Sequence, residues 1–161
     1  MKIYIVLQLT IIFVTIHFST QLENLLDSPV RKCIECVCHA RTGCFNRMTC
    51  ASYSISMNYW HEAGSPTLNV NDPANTASYN ACMRDENCIL NTIKLYTDRY
   101  EKPECDCNDV YDCRDMLMIH LNGQNCNKVI SNDVRSRYNK CAQDNGLQRI
   151  VTDSRCRPDP Q

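Results

Sequence analysis

Residues 33–50 read CIECVCHARTGCFNRMTC, which places Cys33, Cys36, Cys38, Cys44 and Cys50 within eighteen positions. Thiols this dense are either oxidised to disulfides or bound to metal. Cys33-x-x-Cys36, and further on Cys105-x-Cys107, have the close spacing of zinc thiolates. The choice between bridges and metal rests on the compartment, and the compartment is written upstream.

Met1-Lys2 gives a short positive start, and Ile3 to Phe18 is almost wholly apolar. This is the pattern of a secretory signal peptide over 1–20, with cleavage expected around Ser19 to Leu22. A membrane anchor needs ~20 apolar residues. The run here is sixteen and is interrupted by Gln8, Thr10, Thr15 and His17. Export favours disulfides. All thirteen cysteines fall in the mature part, about 9% of it, and no histidine is spaced as a zinc ligand, so no metal and no cofactor is expected. Thirteen is odd, so at least one thiol is unpaired, which leaves a disulfide-linked dimer open.

Removal of residues 1–20 deletes Lys2 and no acid, giving 16 Lys+Arg against 18 Asp+Glu, a net charge of −2. That balance points to neither nucleic acid nor an anionic membrane as partner. About 140 residues suffice for one domain with a modest core, which the bridges supplement.

Outward from the cluster, 21–32 is a leader segment containing Pro29, and 61–76, with Gly64, Pro66 and Pro73, is a loop. ASYSISMNYW at 51–60 suits a short strand or a helix entry. Ile89, Leu90, Ile93, Tyr96 and Tyr100 recur at helical spacing, predicting a helix over 88–100 that stops before Pro103. Asp109 is a candidate cap for a second helix through Val110, Leu117 and Ile119 to Gly123. Ser131 or Asn132 would cap a third, with Val134, Tyr138 and Cys141 on one face. The tail 146–161 is expected to be loose, Cys156 excepted.

Cys-x2-Cys-x-Cys-x5-Cys-x5-Cys resembles the opening of the invertebrate-type lysozyme and destabilase family. Ile55, Tyr59-Trp60, Glu62 and Gly64 continue the likeness. Tyr79, Cys82-x5-Cys88, Asn91-Thr92-Ile93 and Tyr96 are similar to the insect members. Cys105-x7-Cys113, Asp115, Ile119-His120, Cys126 and Cys141 complete it, over 109 residues. The resemblance implies a small α-rich (α+β), disulfide-stapled, lysozyme-like domain over 33–145, secreted, with bacterial cell-wall glycan as the partner to be expected. It also implies local bridges Cys38–Cys44 and Cys82–Cys88. The partners of Cys33, Cys36, Cys50, Cys105, Cys107, Cys113, Cys126, Cys141 and Cys156 stay open.

Glycoside hydrolysis uses two carboxyl groups, one protonated as general acid and one ionised as nucleophile or base. Active family members carry the acid three residues before the cysteine that closes the first small loop. Arg41 occupies that position, and a guanidinium cannot act as general acid. The short loop that should bring the family's Asp is missing, since Cys50 runs directly into Ala51. No aspartate lies between Asp27 and Asp72 to replace it.

The remaining acids near the expected cleft are Glu35 and Glu62. Some family members are credited with isopeptidase activity from a serine and a histidine; His120 matches that histidine, and Ser52, Ser54 and Ser56 are the nearby hydroxyls, while His39 and His61 carry less signal. Tyr59 and Trp60 are candidates for stacking on sugar rings, with the sole Trp also suited to the core. Two function classes follow. One is a catalytically degenerate, secreted lysozyme-family protein that binds glycan or serves in defence. The other is an active hydrolase, a muramidase with relocated carboxylates or an isopeptidase using His120.

Overall fold

The computed structural model describes residues 22–44, 50, 54–105 and 110–150, and among them the regular structure is entirely helical. The elements are α1 (Pro29–Thr42), α2 (Met57–Glu62), α3 (Thr76–Cys82), α4 (Glu86–Arg99), α5 (Cys113–Asn122), a 3-10 turn (Gly123–Asn125) and α6 (Asn132–Asp144). The strand reading of 51–60 gives way to α2, because Ser56 caps it by accepting a hydrogen bond from the Tyr59 amide. The described part is a small helix-rich domain tied by several disulfides.

The cysteine-rich stretch is itself the central helix. Pro29 stands in the first turn of α1, where its missing N–H is no loss. Cys33, Ile34, Val37 and Cys38 then form a buried stripe, widened by Cys36 and Ala40. Gly43, at φ 76°, ends the helix in the left-handed conformation, with its amide bonded to His39 O at 2.8 Å. The leader boundary at Lys32 therefore falls inside a helix. Residues 22–25 are also docked: Asn87 and Asn91 of α4 bond the backbone of Glu23 and Leu25, and Leu25 is buried.

α1 packs most extensively on α6 and next on α5, while α4 packs on α5 and carries α2 and α3. Asp85 caps α4, whose buried face holds Ile89, Leu90, Ile93 and Tyr96. Asp112, not Asp109, caps α5 through a capping box closed by Asp115; Asp109 lies outside the described residues. Ser131 caps α6. The start of the tail is packed as well. Leu147 N bonds Ala142 O, and Asn139 exchanges two hydrogen bonds with Ile150.

Among the described residues five bridges fasten this arrangement: Cys33–Cys113, Cys36–Cys141, Cys38–Cys50, Cys82–Cys88 and Cys105–Cys126. Cys36–Cys141 closes a separation of 105 residues; loops of that order restrict the unfolded chain by about 4.7 kcal/mol in the chain-entropy account. The implied Cys38–Cys44 bridge is corrected to Cys38–Cys50. α1 stays helical past Cys38, and the Gly43 turn then delivers Cys44 to solvent as a free thiol, whereas Cys38 and Cys50 are both buried with Cα atoms 5.2 Å apart. Cys107 and Cys156 lie outside the described residues.

Candidate functional site

Three helices meet at His120. The bridge Cys33–Cys113 pins α1 to the start of α5, and the Cys33 and Met116 sulfurs are 3.5 Å apart. From that pin, Arg41 lies eight residues along α1 and His120 seven along α5, so both stand roughly 10–12 Å further on at 1.5 Å per residue. Arg41 is exposed in the last turn of α1, close enough for its charge to act on the His120 ring.

His120 Nδ1 is 2.9 Å from the Tyr59 hydroxyl. Tyr59, from α2, stacks on Tyr96 of α4 with ring centroids 3.6 Å apart and planes 15° from parallel, and meets the imidazole edge-on. The Tyr96 hydroxyl fills the place where a Cβ on Gly123 would come within 2.9 Å. Gly123 also sits at φ 57°, so glycine is required there twice over.

Burial sets the protonation states. His120 is 7% exposed, and burial, with the Arg41 charge second, pushes its pKa down to about 4. Burial, followed by the nearby tyrosines and Glu62, holds the Tyr59 hydroxyl well above its ordinary range. At neutral pH the imidazole is uncharged and the phenol protonated. When Tyr59 donates to Nδ1, the ring's one proton sits on Nε2; the reverse would strand both the phenol proton and the Nε2 lone pair. The first arrangement leaves one group unpaired. Nε2 is buried and has no hydrogen-bond partner among the described residues, at a cost of about 1–3 kcal/mol.

The aromatic pair expected to bind sugar is turned inward. Trp60 is fully buried, with Nε1 donating to Pro66 O at 2.8 Å and the ring edge-on to Tyr79. Tyr59 is 8% exposed, its face covered by Tyr96 and its hydroxyl taken by His120. Both are core residues in this fold, because α2 is short and apposes α3 and α4 with its apolar side.

The two nearest acids are not brought together. Glu62, exposed at the end of α2, accepts from the Tyr100 hydroxyl at 3.0 Å, and its backbone carbonyl accepts from Arg99 at 2.7 Å. Glu35 pairs with Arg31, which also reaches Glu86 at the other end of α4. Roughly 20 Å of helix separates the two neighbourhoods, against the ~5–9.5 Å that glycosidase geometry requires. Asp115 is the buried carboxylate among the described residues, and it is committed to the α5 cap. Among the described residues no carboxyl combines the apolar burial and free oxygen of a general acid.

Neither Ser54 nor Ser56 forms a dyad with His120. Ser56 Oγ caps α2, Ser54 Oγ is buried without a hydrogen-bond partner among the described residues, and Ser52 lies outside them. His61 bonds Ser65 at the surface, and His39 faces Arg137 and Lys140 of α6. Sequence reading missed the Tyr59–Tyr96–His120 array. Its one local signal was Gly123, directly after the helix that carries His120 in its last turn. Among the described residues no cluster is arranged to hold a metal ion, and no helix is long and apolar enough to cross a membrane.

The Destabilase family model matches residues 30–144. The chain belongs to the Destabilase family. A curated protein described as "Lysozyme" from Magallana gigas is 27% identical over 100 residues, which cover 56% of this chain. The match spans 64% of that relative, less than two thirds of its length. No solved structure matches the chain significantly.

Proposed function

We propose that this Destabilase-family protein is exported and binds bacterial cell-wall glycan without cutting it. The observation that carries this reading is Arg41: the last turn of α1 presents an exposed cation where the active family members place their general acid. A fixed positive charge opposes an oxocarbenium-like transition state but does not oppose ground-state binding of sugars. The separation of Glu35 from Glu62 and the commitment of Asp115 support the same conclusion. The apolar run at 3–18 and the disulfide bridges fit an oxidising compartment after signal removal. Domain limits near Cys33 and Asn145, widened to take in the docked residues 22–32, form part of the proposal.

The test is retention and turnover on insoluble peptidoglycan. The refolded mature protein is expected to sediment with the polymer and to release no new reducing ends. A protein that stays wholly in the supernatant contradicts the binding, and one that releases reducing ends contradicts the loss of cutting.

A further inference from the structure

Just past α2 the chain holds a serine in a backbone conformation that serines avoid. Ser65 stands at φ 56°, and among the described residues it is the one non-glycine residue with a positive φ. It also precedes Pro66, and a proline pushes the residue before it toward extended backbone. Ending the helix does not require this, because Gly64 at φ 88° already supplies the left-handed turn. Trp60 fixes the strained residue from both sides. Its backbone carbonyl accepts from the Ser65 amide at 2.9 Å, and its buried ring donates to the Pro66 carbonyl at 2.8 Å. The result is a contact: Ser65 Oγ lies 2.9 Å from His61 Nδ1, and the imidazole rests against the Trp60 ring with centroids 5.0 Å apart. His61 is exposed and Ser65 half-buried, so the pair lies at the surface, open to solutes.

A serine hydroxyl within hydrogen-bond reach of an imidazole is an activated nucleophile, and backbone strain fixed by its surroundings clusters at active sites. We propose that Ser65 and His61 form a surface acyl-transfer dyad that hydrolyses carboxylic esters. With the ring proton on Nε2, Nδ1 accepts from Ser65 and serves as general base. Oγ adds to the ester carbonyl as its proton passes to Nδ1; the alcohol leaves with that proton, and the acyl group stays on Oγ. Water then adds to the acyl-serine and gives a proton to Nδ1, and the serine oxygen leaves with it. One ester and one water become one alcohol and one acid. An ester suits the pair better than an amide, since among the described residues no carboxylate orients His61 and the dyad is not closed off from water. An alcohol departs with less help than an amine, whose nitrogen must first be protonated. The dyad uses neither His120 nor the serines at 52–56, and it does not depend on the glycan-binding reading.

The experiment incubates the refolded mature protein, carrying Cys44→Ser so that the free thiol takes no acyl group, with 4-nitrophenyl acetate at neutral pH. Release of 4-nitrophenol and the mass of the peptide containing Ser65 are followed together. The expected result is a transient gain of one acetyl group on Ser65, lost again as acetate forms. Ser65→Gly suits the left-handed backbone and should keep the fold, yet lose both the acetyl mark and most of the release. His61→Gln should slow acetylation of Ser65 by about a hundredfold or more. Circular dichroism of both variants separates loss of the dyad from loss of the fold. Three results overturn the proposal: no acetyl group on Ser65, release unchanged in a folded Ser65→Gly, or Ser65 acetylated as fast in His61→Gln as in the parent protein. Because the test uses a soluble ester and no polymer, its failure leaves the sedimentation result with peptidoglycan untouched, and the reverse also holds.

Discussion

The two ends of α1 differ in what they leave undone. At its first half, Cys33 and Cys36 are bridged across the fold, Arg31 reaches Glu35 and Glu86, and the Asn87 and Asn91 amides meet the backbone of the preceding segment. At its last turn, Arg41 has no anion among the described residues, Cys44 has no bridge and His120 Nε2 has no acceptor. Completed pairings mark a framework whose value lies in the folded state. Uncompleted ones cost stability. In the proposed reading this Destabilase member keeps the staple pattern and has exchanged a carboxyl for a cation.

The strongest way to break the contrast is at the framework end. Replacing both Cys36 and Cys141 with serine removes the longest bridge and is expected to cost about 2–5 kcal/mol, read as a fall in the thermal midpoint. A midpoint unchanged by that double substitution would mean that α1 and α6 hold together without their staple. Next in size is acid. His120 is neutral in the fold down to about pH 4 and titrates near 6.5 when unfolded. Between those values the unfolded chain binds a proton that the folded chain refuses, so stability is complete above about pH 6.5 and declines as pH falls toward 4. The total is about 3 kcal/mol at ~1.4 kcal/mol per unit. His39, also lowered by burial, adds in the same direction. Denaturant midpoints that stay flat from pH 7 to 4.5 would contradict the buried neutral imidazole.

Gly123→Ala should cost about 1–3 kcal/mol, from the left-handed φ and the approach to the Tyr96 hydroxyl. A neutral outcome would show that the Tyr59–Tyr96–His120 stack yields easily. The smallest effect sharpens the cysteine assignment. Cys44→Ser should leave stability within about 0.5 kcal/mol and remove any covalent dimer from a non-reducing gel, while Cys50→Ser should be clearly destabilising. The opposite ranking would restore the Cys38–Cys44 bridge.

Much of the helical frame was legible in the sequence because apolar spacing and caps agree there. Ile89, Leu90, Ile93 and Tyr96 announce α4, and Ser131 announces α6. α1 was hidden by its own cysteines: counted as bridge ends rather than as small apolar residues, they mask the stripe that Ile34 and Val37 complete, although Pro29 and Gly43 mark both ends of the helix. The cap of α5 was misplaced because Asp109 and Asp112 are equivalent by residue type, and only the reciprocal Asp115 bond distinguishes them. The site was legible only as a substitution. That Arg41 stands where the family resemblance puts an acid can be read along the chain, but that Tyr59 and Trp60 turn inward, and that the Tyr59 hydroxyl meets His120, depends on how α2, α4 and α5 close around one another.

The central claim is that this protein holds a wall polymer and does not cut it. Its most direct test is the turbidity of a Gram-positive cell-wall suspension incubated with the refolded mature protein. Turbidity should stay level in the presence of protein and remain so for Glu62→Gln. Clearing by the parent protein that disappears in Glu62→Gln would show a working carboxyl and contradict the account.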